Sequence, residues 1–237
     1  MDTMTVTGTA MLNDVERLRL ISHNLANLAT VGFKREIAVA RPFLDHLEKG
    51  SLVSASRPLL TSYSDHSMGA LKHTGSPLDV ALEGAGFFAV ATEWGEAYTR
   101  QGNFQLDADG RLMTAGGYPV LGAGGEIRVN TPQPRIDQAG NVWDGANVIA
   151  RLKVVETADP NSLERVGNGL FSATDSTEVT EAEATRVRQG YLEVANVTSM
   201  NEMIKMIETM RHFETSQKLL RGYDNMLDRA INVIGEM

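Results

Sequence analysis

The feature that most limits how this chain can fold is a long amphipathic run without proline in its last forty residues. Between residues 196 and 234, apolar side chains recur at alternating steps of three and four, which predicts one long helix. At about 1.5 Å per residue, such a helix is on the order of 50 to 60 Å long. Gln217 and Asp224 interrupt the heptad, so the pattern indicates a coiled-coil-like seam with a weak centre. The apolar seam positions are Met203, Met206, Met210, Phe213, Leu220, Leu227, Ile231 and Ile234.

A shorter amphipathic run predicts a second helix near the first residue of the chain. From residue 8 to residue 29, apolar residues fall at helical spacing, with Arg17 and Arg19 on the wetter side. Thr30 and Gly32 end the pattern, since glycine readily adopts the left-handed conformation that closes a helix. The seam positions of this helix are Met11, Val15, Leu18 and Leu25.

The residues between the two helices have the composition of a β domain. Most of the glycines, both tryptophans and many β-branched residues lie between residues 69 and 190. Residues 98–122 read as three strands separated by turns, and DADG at 107–110 is typical of a hairpin turn. The sequence therefore predicts an α+β fold, in which long N- and C-terminal helices pack as a coiled-coil-like layer and the central domain is all-β.

Composition and charge divide the chain into four segments. Residues 1–35 hold the N-terminal helix, 36–68 a connector without a clear period, 69–190 the β domain, and 191–237 the C-terminal helix. The formal charge is +1 in the first segment, −2 in the last, and −7 in the residues between them. The acidity of the chain is thus concentrated in the middle, and the two ends are nearly neutral.

Composition also excludes several classes of protein. The chain contains no cysteine, which excludes thiol nucleophiles, disulfides and thiolate metal sites. A net charge of −8 argues against a nucleic-acid binder. No apolar run reaches the roughly 20 residues that span a bilayer. The first residues show neither a basic nor an apolar signal region, so we expect no cleavable secretory signal.

Three short motifs could suggest chemistry, and each has a simpler explanation. Gly84, Gly86 and Ala89 have the spacing of a dinucleotide-binding loop, but strand-forming residues follow instead of a helix. The DADG turn lacks the later ligands of a calcium loop. SDHS at 64–67 places serine, aspartate and histidine side by side, whereas a catalytic triad converges from separate segments. We therefore expect no catalytic residue, cofactor, metal site or small-molecule substrate, and no enzymatic activity.

The apolar faces of the two helices require a neighbour. Partial burial of the eight seam residues in the C-terminal helix contributes roughly 10 kcal/mol, at about 1.5 kcal/mol each. The helices can pair within the chain or with copies in other subunits, and the sequence analysis favours the second arrangement. Two rival hypotheses are an enzyme dimerised by its terminal helices, and a binding module whose acidic β face captures a basic partner.

The residues that end the first helix resemble the signature of the bacterial flagellar rod and hook proteins. In that family the helix ends in a pattern close to A-N-x-x-T-x-G-[FY]-[KR]. Residues 74–90, 98–122 and 192–218 resemble the same family. The length and residues 63–84 are most similar to its proximal rod subunit, and the distal rod subunit is the alternative. The matching signature residues are Ala26, Asn27, Thr30, Gly32, Phe33 and Lys34.

This resemblance implies a structural subunit of the flagellar basal-body rod. The terminal helices would form the inner core layer of a helical filament through their seam residues, with the β domain outside them. The polymer would be the periplasmic drive shaft that transmits torque. The implied partners are copies of the chain, other flagellar rod proteins, the flagellar type III export apparatus and the surrounding ring proteins.

Overall fold

The computed structural model of the chain describes residues 3–40, 60–174, 177–182 and 184–235. These residues form two compact units. The helical unit comprises the described parts of 1–26, 36–63 and 198–237, and the β unit comprises those of 27–35 and 64–197. The chain therefore has an α+β fold.

The helical unit is built from two long helices and a small sheet. Helix α1 spans Thr3–Ala26, helix α2 spans Ser199–Gly235, and strands β1 (Glu36–Ala40) and β2 (Leu60–Ser64) form a two-stranded sheet. The helix α1 begins and ends earlier than the predicted residues 8 to 29. Its last turn stops at Ala26 because residues 27–30 form a hydrogen-bonded turn. No helix within the described ranges is long and apolar enough to cross a membrane.

Helices α1 and α2 lie against each other within the chain and run antiparallel. Asp14 near the middle of α1 contacts His212, and Asn24 near the end of α1 contacts Glu202 near the start of α2. Pairing within the chain is thus present, and pairing of the helices with copies in other subunits, which the sequence analysis favours, stays a prediction. Helix packing within one chain avoids the entropy cost of association, so the inner faces of the helices are covered first.

The β unit contains seventeen short strands among its described residues. Its largest sheet has six antiparallel strands in the order β15-β16-β6-β5-β14-β17. Pairs β3 with β19 and β4 with β18 join the two ends of this unit's sequence. The strands are β3 Leu71–His73, β4 Val80–Glu83, β5 Phe87–Thr92, β6 Gly95–Thr99, β7 Gln105–Leu106, β8 Leu112–Met113, β9 Leu121–Gly122, β10 Gly125–Glu126, β11 Arg135–Ile136, β12 Asn141–Asp144, β13 Asn147–Arg151, β14 Val154–Thr157, β15 Leu163–Gly167, β16 Leu170–Ala173, β17 Val179–Glu181, β18 Arg186–Gln189 and β19 Tyr191–Glu193.

Strand β5 carries the centre of the core. Phe88 and Val90 pack into one apolar cluster, and Phe87 and Ala89 pack into a second cluster on the other face of the strand. Because both faces are covered, the strand reads as a continuous apolar run and not as an alternating one. The dinucleotide-like glycines that precede it lead into this strand, as the flanking sequence predicts.

The DADG segment forms the predicted hairpin turn between β7 and β8. One carboxylate oxygen of Asp107 accepts hydrogen bonds from the N–H groups of Asp109 (2.9 Å) and Arg111 (2.8 Å). These bonds lower the pKa of Asp107 below its usual value, with the backbone bond from Arg111 as the largest cause. The aspartate is thus a turn-closing residue.

Candidate assembly interface

Helix α1 meets α2 through a face that mixes apolar and polar side chains. Leu20 and Ile21 are buried there, together with the polar residues Asp14, Asn24 and Glu202. Asp14 Oδ2 lies 2.5 Å from His212 Nδ1, and the Asn24 side chain donates to Glu202 at 3.4 Å and to the Glu36 carbonyl at 2.8 Å. These bonds fix the register of the helices more specifically than apolar packing alone.

The structure places the predicted seam residues in two groups. Half-buried positions are Met11, Leu18, Leu25, Met206, Phe213 and Leu220. Exposed positions are Val15, Met203, Met210 and Leu227. Ile231 and Ile234 belong to α2, but their side chains lie outside the described residues. The described seam residues are therefore divided between half-buried and exposed positions, and coiled-coil-like packing through the predicted seam stays a prediction.

Each helix carries a second apolar row, which faces away from the packed side. In α2 this row lies near its N-terminus, and five side chains within eleven residues are 48 to 70% exposed. At about 100° per residue they share one face, turned away from the buried side chains of Glu202 and Ser216. We call these two sets the outer rows. The outer row of α2 is Met200, Met203, Ile204, Ile207 and Met210, and that of α1 is Met4, Leu12 and Val15.

The signature residues that follow α1 build a tight turn in the β unit. The Thr30 N–H donates to the Asn27 carbonyl at 3.0 Å, and the Thr30 hydroxyl donates to the Asn27 side chain at 3.1 Å. Gly32 has a φ of +64°, and its N–H donates to the carbonyl of Glu193 at 2.8 Å. A Cβ at Gly32 would lie 2.4 Å from the carbonyl carbon of Arg100, so the turn requires glycine at this position.

Phe33 anchors this turn in a small apolar cluster. Its ring is buried beside Ala195 and Val197, just before α2 begins. The guanidinium of Arg165 lies 4.9 Å from the centre of the Phe33 ring, which is the geometry of a cation–π contact. Ala26, the first signature residue, is exposed and ends α1.

Lys34 belongs to a buried ion-pair cluster, which we call the junction cluster: Lys34, Arg100 and Glu193. Lys34 Nζ lies 2.6 Å from Glu193 Oε1, and Arg100 Nη1 lies 3.3 Å from Glu193 Oε2. The three side chains are 0 to 1% exposed. Backbone groups complete the hydrogen bonding, since Lys34 donates to the Ser67 carbonyl (2.8 Å) and Glu193 accepts from the Gly69 N–H (2.9 Å).

The junction cluster places two cations around one carboxylate. Burial lowers the pKa of Lys34 below that of an ordinary lysine, while the Glu193 carboxylate opposes this shift. Burial also lowers the pKa of Arg100. Glu193 is therefore the carboxylate that forms ion pairs with both desolvated cations, and we expect its loss to be the most costly single change in the cluster.

Asn196 joins three chain segments next to the junction cluster. Its side-chain oxygen accepts from the Arg35 N–H at 2.7 Å, and its side-chain nitrogen donates to the carbonyls of Asp65 (2.7 Å) and Ser67 (3.1 Å). The segments that precede β1, follow β2 and precede α2 are thus fixed to one another within the β unit.

His66 of the SDHS motif lies next to these cations and forms no catalytic arrangement. Its ring packs against Phe87 and Phe171, and neither ring nitrogen has a hydrogen-bond partner among the described residues. Burial, together with the charges of Lys34 and Arg100, lowers its pKa to about 4, so the ring is neutral at ordinary pH. Within the described ranges, no three acidic or histidine side chains are grouped as metal ligands.

Sequence reasoning identified Lys34 but missed its two partners. Arg100 sits inside a predicted strand region, and Glu193 sits in the strand that leads into α2. The only available signals were isolated charged residues in apolar surroundings, YTR at 98–100 and YLEVA at 191–195. A charge in such a setting is buried only when it is paired, and the partner is not visible in the local sequence.

Comparison with known proteins gives matches along most of the chain. Residues 81–143 match the family described as the flagellar hook protein FlgE/F/G D1 domain, and residues 188–233 match the flagellar basal body rod FlgEFG protein C-terminal family. The chain is 35% identical to the flagellar basal-body rod protein FlgF of Escherichia coli, over 87% of this chain and 88% of that protein. It is 32% identical to FlgF of Rhizobium meliloti (93% and 92%) and 29% identical to FlgG of Bacillus subtilis (94% and 95%).

Proposed function

Since this chain belongs to the flagellar basal-body rod protein family, we propose that it joins its neighbours in the rod through the outer rows of its two terminal helices. The chain is a structural subunit of the bacterial flagellar basal-body rod and is located there. It assembles with itself and with other flagellar components. The outer rows carry the proposal, because they are large apolar surfaces left uncovered after α1 and α2 have paired.

The outer rows also have the right chemistry for a polymer. The row on α2 and the row on α1 are different surfaces, so a contact between them is heterologous, and we propose that its rotation does not close into a ring. A contact of this kind generates an open helical assembly. Burying the exposed half of the five α2 side chains contributes roughly 5 kcal/mol, at about 1 kcal/mol each.

We further propose the FlgF type, the proximal rod subunit, for this chain. The support is identity, which reaches 35% with a FlgF relative and 31% with a FlgG relative. A tag on the chain, located along purified basal bodies, tests the position. Delivery by the flagellar type III export apparatus, contact with the surrounding rings and transmission of torque are further proposals, supported by family membership.

Replacing Ile207 with glutamate should block rod assembly while leaving the monomer folded. Ile207 is 53% exposed in the free chain, so the change costs little there. At the proposed contact it buries an unpaired carboxylate, which weakens association by about 3 kcal/mol, more than a hundredfold. The measurement is the yield of basal bodies in cells whose only copy carries the variant, with the melting temperature of the purified chain as the folding check.

Val166→Glu is the matched control for this variant. Val166 is 48% exposed on strand β15 of the β unit and belongs to neither outer row. Normal basal bodies with Val166→Glu and few or none with Ile207→Glu would support the helical contact. Normal basal bodies with both variants would remove the outer rows from the assembly interface.

A further inference from the structure

The most exposed aromatic side chain of the described residues is at a hairpin tip. Trp94 is 74% exposed in the turn between β5 and β6. Glu93 and Trp94 have no positive φ, so this turn accepts most residue types and does not itself require tryptophan. An exposed indole at a turn is the kind of anchor that dominates protein interfaces.

This tip is held in a fixed shape. The hydroxyl of Thr92 donates to the Gly95 carbonyl at 2.8 Å and accepts from the Trp94 N–H at 3.3 Å. Glu93 is exposed beside the indole, and Glu96 is paired with Lys153 at 2.7 Å. The tip therefore presents an indole with one adjacent carboxylate at a low cost in conformational entropy.

The β unit also contains a cavity of complementary character. Its volume is about 340 Å³, and its apolar lining includes Leu152, Val154 and Val187. Two arginines, Arg151 and Arg186, line it as well. We call this space the Arg186 cavity. Among the described lining residues, the acidic side chain is Glu181, against the two arginines. Most of the cavity's lining surface is polar, its arginines supply the cationic groups, and it has the size of a small ligand pocket.

The tip and the cavity lie at opposite ends of strand β5. Val154 in the cavity pairs with Phe88 near the start of the strand, and the Cβ position of Gly86 lies 2.7 Å from Val154 and 3.0 Å from Thr185, another lining residue. Trp94 follows the last residue of the same strand. Six residues of strand separate them by roughly 20 Å, so the tip cannot reach the cavity of its own chain.

We propose that Trp94 of one subunit inserts into the Arg186 cavity of a second copy, with Glu93 facing Arg186. This contact rests on the proposed rod function and adds a second lateral joint, between β units, to the contact of the helices. It is heterologous for the same reason as the helical one, since tip and cavity are different surfaces of one chain. A carboxylate that meets a guanidinium at the cavity edge gives the contact its orientation.

Charge reversal with rescue tests the contact directly. Glu93→Arg and Arg186→Glu should each lower the basal-body yield at least tenfold, and the double variant should restore it, because every copy then carries both reversed partners. Arg128→Glu, an exposed arginine outside the cavity, is the control for a general charge effect. Loss without rescue, or no loss in either single variant, overturns the proposal.

Trp94→Asp tests the indole without disturbing the fold, because aspartate suits the turn. We expect a normal melting temperature and at least a tenfold loss of basal bodies. If Trp94→Asp assembles normally while Ile207→Glu does not, this contact is wrong and the proposed function stands. If both variants assemble normally, the proposed contact of the helices fails as well.

Cross-linking tests the same contact in solution. The chain has no cysteine, so single variants Glu93→Cys and Gln138→Cys carry one thiol each. Gln138 lines the cavity. A short bismaleimide should link the two variants when they are mixed under assembling conditions and link neither variant to itself. Self-linking of each variant to the same extent as the mixture overturns the assigned pairing.

Discussion

Replacing Glu193 with glutamine should destabilise the β unit by about 3 to 5 kcal/mol, the range for breaking a buried ion pair. The variant leaves Lys34 and Arg100 buried without a carboxylate, and their repulsion adds to the desolvation of both charges. The measurement is urea unfolding of the full chain, followed by circular dichroism at a β-sheet wavelength. The same variant should also raise the rate of backbone amide hydrogen exchange in residues 64–73. Backbone groups in this segment form hydrogen bonds with the side chains of Glu193 and Lys34.

Glu83→Gln is the matched control, because Glu83 pairs with Arg188 at 3.0 Å while both side chains are more than 40% exposed. That change should cost less than about 1 kcal/mol. Lys34→Met removes one cation and leaves Arg100 paired with Glu193. It should lower the free energy of unfolding by less than half as much as Glu193→Gln. Equal costs for Glu193→Gln and Glu83→Gln would contradict a stabilising junction cluster.

Replacing Gly32 with alanine should destabilise the β unit by roughly 4 kcal/mol or more. The left-handed backbone alone costs about 1 to 2 kcal/mol for a residue with a Cβ. In addition, the new methyl group would lie 2.4 Å from the carbonyl carbon and oxygen of Arg100 and 2.7 Å from the Gln101 nitrogen. These contacts are with backbone, so relief requires movement of the segment that follows β6 and carries Arg100, or of the turn itself.

Gly145→Ala separates the cost of the left-handed backbone from the cost of the close contacts with Arg100 and Gln101. Gly145 has a φ of +63°, nearly the same as the +64° of Gly32, and a Cβ there meets no atom within 4 Å. Its cost should therefore be the backbone cost alone, about 1 to 2 kcal/mol. Thermal unfolding of the two variants gives the difference, and similar melting temperatures would show that the approach to Arg100 is not limiting.

The sequence predicts the α+β fold and both helices because their periodicity is strong and local. Helix α2 was predicted over residues 196–234 and spans Ser199–Gly235. The start of α1 was missed, since the threonine-rich residues 3–7 carry little apolar periodicity. The glycine turns and the strand β5 were recognised from turn chemistry and apolar runs, which also act over a few residues.

The seam could not be assigned because α2 has two apolar rows. A heptad list that includes Met203, Met206 and Met210 takes side chains from both of them. The periodicity gives the spacing of apolar residues, but not which row packs within the chain. That choice depends on Asp14, Asn24 and their partners on the other helix, which are polar and therefore outside an apolar pattern.

The junction cluster is invisible to local patterns for a different reason. Lys34 and Glu193 are 159 residues apart, and Arg100 and Glu193 are 93 residues apart. The signature identifies Lys34 as a family position, and only the folded chain shows what it contacts. The same holds for Gly32, whose need for glycine comes from the approach of Arg100 as well as from its own φ.

Because the members of the junction cluster lie far apart in the sequence, they are synthesised at different times. A chain made from its N-terminus presents Lys34 and then Arg100 long before the carboxylate that neutralises both, and strand β19, which carries that carboxylate, leads directly into α2. A chain that stops before residue 193 keeps two uncompensated cations and also lacks the outer row of α2. The β unit can therefore bury Lys34 and Arg100 together with Glu193 only when nearly the whole chain is present.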